Sequence, residues 1–248
     1  MHPEFFVTVA YDWQAMYMET SFAVTTIAHI HNDFEEKFGI PRQSGLVPAM
    51  QSVIVFEKEY RNDDSLRGIE GYSHLWLIWQ FSASVRKTWS PTVRPPRLGG
   101  NQRVGVFATR SPFRPNALGL SSVSLLGIDH TEEHGTILRV AGADLMNGTP
   151  IFDIKPYIAY TDAHPDAVCG FVDEVAYQTL QVQCPETLLA TVEPEKRPSL
   201  MGVLEQDPRP AYHHDEDRIY HMDFGLYTVA FRVKGNQLIV CDIQKRIS

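Results

Sequence analysis

The first 160 residues alternate short apolar segments with polar turns, and few of these segments have helical spacing. Runs of β-branched and aromatic residues bounded by Gly, Pro, Asn or Asp predict β-strands. By this criterion the predicted strands cover residues 22–30, 52–60, 74–81, 103–109, 120–129, 135–144 and 149–160. The run His74–Phe81 is almost continuously apolar, which is typical of a strand in a barrel wall. Six or seven strands separated by turn signals predict a mainly β chain with a closed or nearly closed barrel.

A smaller unit is predicted after the barrel. Residues 161–170 contain Pro and Gly and form a linker, and residues 171–191 include a candidate strand. Residues 197–206 have helical spacing, whereas the segment Lys234-Gly235-Asn236 lies between two apolar runs and predicts a hairpin. The tail is therefore a small α+β domain. The predicted division of the chain is an N-terminal extension over 1–20, a barrel over 21–162 and an α+β domain over 163–248.

The stretch Thr92–Leu120 is rich in arginine and contains no acid. Its five arginines are Arg94, Arg97, Arg103, Arg110 and Arg114. Pro112 and Pro115 fix φ in the loop that carries the last two. Because guanidinium groups present a fixed bidentate fork, the stretch predicts a site for an anionic or planar ligand. The alternative is a surface turn with solvated arginines.

Charge is distributed unevenly along the chain. Between residues 71 and 128 there are seven basic residues and no acid. The remainder therefore carries a formal charge of −15, because the whole chain of 248 residues carries −8. A local positive field on an acidic body can bind phosphate groups while the acidic remainder suppresses non-specific binding.

Several protein classes are excluded by the composition. The three cysteines are odd in number and lack metal-type spacing, which indicates a reducing, cytoplasmic compartment. No apolar run is long enough to span a bilayer, and the acids among residues 1–22 argue against a signal peptide. The chain contains neither the dinucleotide-binding fingerprint nor a P-loop. The pairs His29/His31 and His213/His214 lack a third ligand at suitable spacing, so no metal site is predicted.

The segment GVFATRSPFRPNALGLS, residues 105–121, resembles the signature of the TsaA-like (TrmO) family. Four further segments resemble the family in the same order: FGIPRQSGLV (38–47), RGIEGYSHLWLIW (67–79), TVRPPRLGGN (92–101) and DLMNGTPIFDIKPY (144–157). Residues 206–212 (QDPRPAY) are similar to the C-terminal region of bacterial members. The resemblance implies a single-sheeted β-barrel and S-adenosylmethionine-dependent methylation of N6 of threonylcarbamoyladenosine, at position 37 next to the tRNA anticodon.

The resemblance also implies a cofactor pocket formed by loops at one end of the barrel. The implied cofactor contacts are Pro41, Arg42, Gln43, Ser82, Ala83, Arg110, Leu120, Thr149, Pro150, Ile151 and Phe152. The family often has a His-Gln pair where this chain has Ser82-Ala83, so backbone groups would serve there. Gln43 suits the adenine edge or the carboxylate of the cofactor, and Arg110 suits its methionine carboxylate.

Catalysis requires a group that accepts the N6 proton of the modified adenosine. Asp153, Lys155 and Tyr157 alternate on one face of a predicted strand, which suits a base, a counter-charge and a stacking platform. The alternative is a cross-strand ion pair beside an aromatic ring at the barrel rim. His74 is interpreted as a hydrogen-bonded core histidine rather than a catalytic one.

The implied RNA partner is the tRNA anticodon loop. The threonyl carboxylate of the substrate needs a cation, for which Arg94, Arg97 and Arg114 are the candidates. Arg209 and Tyr212 could contact the anticodon loop by ion pairing and base stacking. The family often forms homodimers with the pocket near the subunit interface. Two alternatives stay open: an RNA-binding barrel without chemistry, and a methyltransferase that acts on a small molecule.

Overall fold

The computed structural model describes residues 23–85, 88–174, 178–210 and 215–246, with the backbone alone at Arg97. The predicted N-terminal extension over 1–20 and the predicted RNA contact Tyr212 lie outside the described residues. Two β units make up the structure, and the predicted mainly β class is confirmed. No helix in the described part of the chain is long and apolar enough to cross a membrane.

Six antiparallel strands close on themselves to form a barrel in the order β1-β2-β7-β6-β3-β8. They are β1 (Ala28–His31), β2 (Gln51–Phe56), β3 (His74–Gln80), β6 (Leu118–Thr131), β7 (Gly135–Ala141) and β8 (Pro150–Pro156). The ring is closed by pairing of β1 with β8, where Ala28 lies opposite Ile151. Two-residue strands β4 (Thr92–Val93) and β5 (Val104–Gly105) form a separate ribbon between β3 and β6.

The barrel interior follows from the alternation of side chains along each strand. In β3, Leu75, Leu77 and Trp79 point inward and are buried, while the residues between them face outward. A bulge in β8 interrupts this alternation, because Ile78 pairs with Asp153 but Trp79 pairs with Ile151. The bulge allows Ile151 and Ile154, three residues apart, both to pack against the core.

The second unit is a four-stranded sheet in the order β10-β11-β12-β9, with only β9 parallel to its neighbour. Its strands are β9 (Gln181–Gln183), β10 (Tyr220–Phe224), β11 (Tyr227–Lys234) and β12 (Gln237–Lys245). The helices are α1 (Ala159–Asp162), α2 (Phe171–Glu174), α3 (Glu186–Leu189) and α4 (Arg197–Glu205). The predicted helix at 197–206 and the predicted terminal hairpin are thus confirmed.

The long β1–β2 loop joins the two units. Phe34, Val47 and Met50 are buried in the hydrophobic core of the second unit, although they precede β2 in the chain. Lys196 forms an ion pair with Asp33, and the Ser199 hydroxyl donates a hydrogen bond of 2.7 Å to the carbonyl of Ala49. The second unit therefore packs against the barrel end from which this loop emerges.

One predicted strand is wrong. Residues 103–109 form only the two residues of β5 and then a 3-10 turn over Val106–Ala108. The Val106 amide donates a hydrogen bond to the carbonyl of Pro91, and the Thr109 amide donates to the carbonyl of Val106. The second bond closes the turn and ends the pairing between β4 and β5. The apolar run was misleading because only Val106 is buried, whereas its neighbour Phe107 is 72% exposed.

Candidate active site

One end of the barrel, here called the loop end, collects most of the predicted cofactor positions. The strands β1, β3 and β7 finish there and β2, β6 and β8 begin there, as their antiparallel pairing requires. The Gly45 amide donates to the carbonyl of Gly142 and the Gly142 amide donates to the carbonyl of Met50, both at 2.8 Å. Gly142 has φ +76°, and an added Cβ would lie 3.3 Å from the Gly45 backbone. A glycine at 142 therefore lets the two loops approach each other.

Gln43 and Arg110 meet at the loop end although 67 positions separate them in the sequence. The Arg110 guanidinium donates a hydrogen bond to Gln43 Oε1, and Gln43 Nε2 donates to the carbonyl of Arg42 at 2.5 Å. Arg42 in turn reaches the carbonyl of Arg209 at 3.3 Å. The structure thus brings together an exposed guanidinium and a carboxamide from two loops. This donor set suits a carboxylate and a heterocyclic edge.

A buried polar chain runs from the barrel interior toward this pair. Trp79 Nε1 donates to Ser121 Oγ at 3.0 Å, and Ser121 Oγ donates to Asp144 Oδ1 at 2.5 Å. Burial raises the pKa of Asp144, although the Ser121 hydroxyl, the Arg110 charge and the Ser44 amide act in the opposite direction. Asp144 therefore connects the barrel core with both loops of the candidate site. We call Trp79, Ser121 and Asp144 the Trp-Ser-Asp chain.

Sequence reasoning missed the Trp-Ser-Asp chain. Trp79 and Ser121 lie on neighbouring strands, whereas Asp144 follows β7, so the three residues meet only because the sheet closes around them. A weak signal was present, since Ser121 alternates with apolar inward positions on β6 and such a hydroxyl needs a buried partner.

Stability should depend on pH through Asp144. Because its folded pKa lies above the ordinary value of 3.8, the folded protein holds a proton that the unfolded chain releases between these two pKa values. The free energy of unfolding contributed by this group is therefore highest at low pH and falls as the pH rises through that window. Asp144→Asn removes this titration. Urea unfolding of both proteins from pH 4 to 7 should show the variant gaining relative to wild type as pH rises, and a constant difference would contradict the assignment.

The other predicted cofactor positions differ in their location and burial. The carbonyl of Ala83 accepts from Lys37 Nζ at 2.5 Å, and Lys37 also bonds to Ser84 Oγ at 2.8 Å, which fixes the turn containing Ser82. Leu120 is 58% exposed on the outer face of β6, opposite Ile78. These positions border the loop end without joining the Gln43–Arg110 pair.

The segment 149–152 enters the barrel from the loop end. Thr149 is buried and its hydroxyl donates to the carbonyl of Met146 at 2.7 Å, while Pro150 opens β8. Ile151 is fully buried in the barrel core, and Phe152 occupies the bulge. The buried side chains of Thr149 and Ile151 thus support the site from below.

The three predicted catalytic residues lie at increasing distances from the loop end, from Asp153 in β8 to Tyr157 just after it. Asp153 and Lys155 form an ion pair of 2.8 Å on the outer face, and the ring of Tyr157 packs 5.5 Å from that of Trp76. Six strand positions separate Tyr157 from Ile151, which corresponds to roughly 20 Å. The structure therefore contains the ion pair and the aromatic contact of the alternative, and it separates Tyr157, but not Asp153, from the predicted cofactor positions. The catalytic roles of the three residues stay predictions. His74 is exposed and bonded to Ser124 at 3.2 Å, so the prediction of a core position was wrong.

The predicted RNA contacts differ in availability. Arg94 is exposed, and Arg114 is partly buried with its guanidinium donating to the carbonyl of Thr109 at 3.1 Å. Arg209 is only 14% exposed and gives both arms of its fork to Asp207, at 2.8 and 2.9 Å. That fork is already occupied within the protein. The side chain of Arg97 is not among the described atoms.

Potential metal ligands and cysteines are dispersed in the described ranges. Within them, no group of three or more His, Cys, Asp or Glu residues is placed to hold a metal ion. Cys169, Cys184 and Cys241 are free thiols, and burial raises the pKa of Cys184.

Comparisons with known proteins agree with this architecture. The family model for the tRNA-methyltransferase O N-terminal domain matches residues 29–163, and the TrmO C-terminal domain matches residues 177–246. The tRNA (adenine(37)-N6)-methyltransferase of Escherichia coli (strain K12) is 40% identical over 222 residues, which cover 86% of this chain and 94% of that protein.

Two Pseudomonas aeruginosa proteins are also similar. A putative S-adenosylmethionine-dependent methyltransferase is 38% identical over 201 residues, which cover 78% of this chain and 84% of that protein. The crystal structure of TrmO from this organism has a TM-score of 0.73 at 30% identity, covering 92% of this chain and 99% of that one. Since two family models span both units and a solved member superposes over nearly the whole chain, this protein belongs to the TrmO family.

Proposed function

We propose that this protein transfers a methyl group from S-adenosylmethionine to N6 of adenosine 37 in tRNA, with threonylcarbamoyladenosine as the modified substrate. Family membership supports the reaction class, since the Escherichia coli relative is a tRNA (adenine(37)-N6)-methyltransferase. The structural observation that carries the proposal is the convergence of Arg110 and Gln43 above the Trp-Ser-Asp chain. The threonylcarbamoyl specificity rests on the sequence resemblance.

The donor set of the loop end fits this cofactor. The Arg110 fork matches the methionine carboxylate, and the Gln43 carboxamide has a donor and an acceptor for the adenine edge. S-adenosylmethionine supplies an electrophilic methyl group and leaves as S-adenosylhomocysteine. The protein therefore has to position the acceptor nitrogen in line and to accept the N6 proton, for which Asp153 is the predicted base. Asp144 acts indirectly, because it holds the Ser44 amide and faces the Arg110 charge from below.

The surroundings of the loop end fit an anionic acceptor. Arg94 and Arg114 belong to the acid-free segment 71–128, which also forms the turn after β3 and the ribbon β4–β5. We assign one of these cations, or Arg97, to the threonyl carboxylate and the neighbouring phosphates. Association with tRNA should therefore weaken with rising salt concentration.

The test combines calorimetry with mass spectrometry of nucleosides. Purified protein should bind S-adenosylmethionine, and it should convert threonylcarbamoyladenosine to its N6-methyl derivative in tRNA that carries the modification. Matched tRNA prepared without the threonylcarbamoyl group is the control, and we expect no methyl transfer to it. Methylation of unmodified adenosine 37 would overturn the specificity alone. Absence of cofactor binding would overturn the reaction class and favour an RNA-binding barrel without chemistry.

A further inference from the structure

Two aromatic side chains lie exposed at one end of the β4–β5 ribbon. The rings of Trp89 and Phe107 are stacked, with centroids 6.2 Å apart and planes inclined by 26°. Trp89 is 50% exposed and Phe107 is 72% exposed. Stacked aromatic rings in water still have free faces, and clustered exposed aromatic side chains mark interaction sites.

The exposure of Phe107 is imposed by the local fold. Its neighbour Val106 is 1% exposed and is held by the hydrogen bond of 3.0 Å from its amide to the carbonyl of Pro91. Because Val106 points into the protein, the following side chain is directed away from it. Pro95, two residues beyond the end of β4, is buried and fixes φ there, so the ribbon is anchored at both ends. The backbone therefore holds the aromatic pair at the protein surface.

Charge complementarity indicates the kind of partner. Arg94 and Arg103 are both exposed and continue the ribbon beyond the paired residues Val93 and Val104, at the end opposite the aromatic pair. Arg103 is oriented along the ribbon by a hydrogen bond of 2.9 Å to Thr92 Oγ1. No acid occurs between residues 71 and 128, so no carboxylate of this segment repels a polyanion. Aromatic faces beside arginines are the combination that binds unpaired nucleotides.

We propose that Trp89 and Phe107 form a stacking platform for unpaired bases of the tRNA, with Arg94 and Arg103 directed to the phosphates. The proposal rests on the proposed function for the identity of the RNA. The ribbon would bind tRNA with little dependence on base sequence, because every base has a π-face on which an aromatic ring can stack. The loop end would select the modified adenosine.

The stacking role is tested by removing and restoring aromatic rings. Phe107→Ala and Trp89→Ala should each weaken tRNA binding about 10-fold in fluorescence anisotropy, because one stacked base contributes about that factor. Phe107→Tyr and Trp89→Phe keep a ring and should retain most of the affinity. Leu126→Ala removes another exposed apolar side chain, 42% exposed and on the far part of β6, and serves as the matched control.

Two further readouts separate the possible outcomes. The salt dependence of tRNA binding should keep its slope in Phe107→Ala and become shallower in Arg103→Ala, because only the arginine releases counterions. Cofactor affinity should be unchanged in Phe107→Ala. Unchanged tRNA affinity in both alanine variants would overturn the proposed stacking platform. A change in the sedimentation coefficient alone would also overturn it, because the rings would then mediate self-association of the protein. Failure of the wild-type protein to bind any tRNA would instead overturn the proposed function.

Discussion

Gly119→Ala is expected to lower the free energy of unfolding by about 3 kcal/mol, the upper part of the range for overpacking a core. An added Cβ would lie within 2.6 Å of three carbons of the Trp79 ring. The indole has little freedom to move, because Nε1 bonds to Ser121 and the ring of Phe81 packs 4.3 Å away. Gly119 is therefore required for close approach of β6 to the indole, not for an unusual backbone conformation.

Urea denaturation measures this effect, with Gly71→Ala as the matched control. A Cβ added at Gly71 would meet no other atom within 4 Å, so this substitution should change stability by less than about 0.5 kcal/mol. If the Gly119 variant folds, displacement of Trp79 should pull Ser121 away from Asp144 and weaken cofactor binding as well. Equal stability of the two alanine variants would show that the indole can swing aside at no cost.

The fold was largely predictable because its strands and hairpins are encoded locally. The apolar run of β3 and the Lys234-Gly235-Asn236 turn each specify an element within about ten residues. The β5 segment was not predictable in this way, because its apolar residues 104–107 include only one buried side chain, Val106, and one exposed ring, Phe107. Periodicity reports which residues are apolar, whereas burial is decided by the packing of distant segments.

The candidate site was predictable only in part, for a similar reason. The alternation of Asp153, Lys155 and Tyr157 correctly placed the first two on β8, with Tyr157 one residue beyond its end, but it gives no information on how far each lies from the loop end. The meeting of Gln43 with Arg110 depends on two loops brought together by barrel closure. The Trp-Ser-Asp chain depends on barrel closure still more, because its members come from three segments that meet only in the closed sheet.

Substituting Arg110 should have the largest effect on function. Arg110→Ala is expected to weaken S-adenosylmethionine binding by about 10- to 100-fold, the range for losing a charge-assisted hydrogen bond in a site. Arg110→Lys should recover only part of this loss, because an ammonium group lacks the planar fork. Isothermal titration calorimetry measures both variants. Arg67→Ala removes the same charge from an exposed ion pair with Asp64 and should bind the cofactor like wild type.

Coupling between Arg110 and Gln43 then distinguishes a shared site from two independent contacts. Since Gln43 Oε1 accepts from Arg110, the double variant with Gln43→Ala should lose less affinity than the two single losses combined. Fully additive losses would mean that each side chain meets the cofactor alone and that their hydrogen bond does not organise the site. Wild-type affinity in Arg110→Ala would remove Arg110 from the pocket altogether, and the cofactor would then have to bind elsewhere than the loop end.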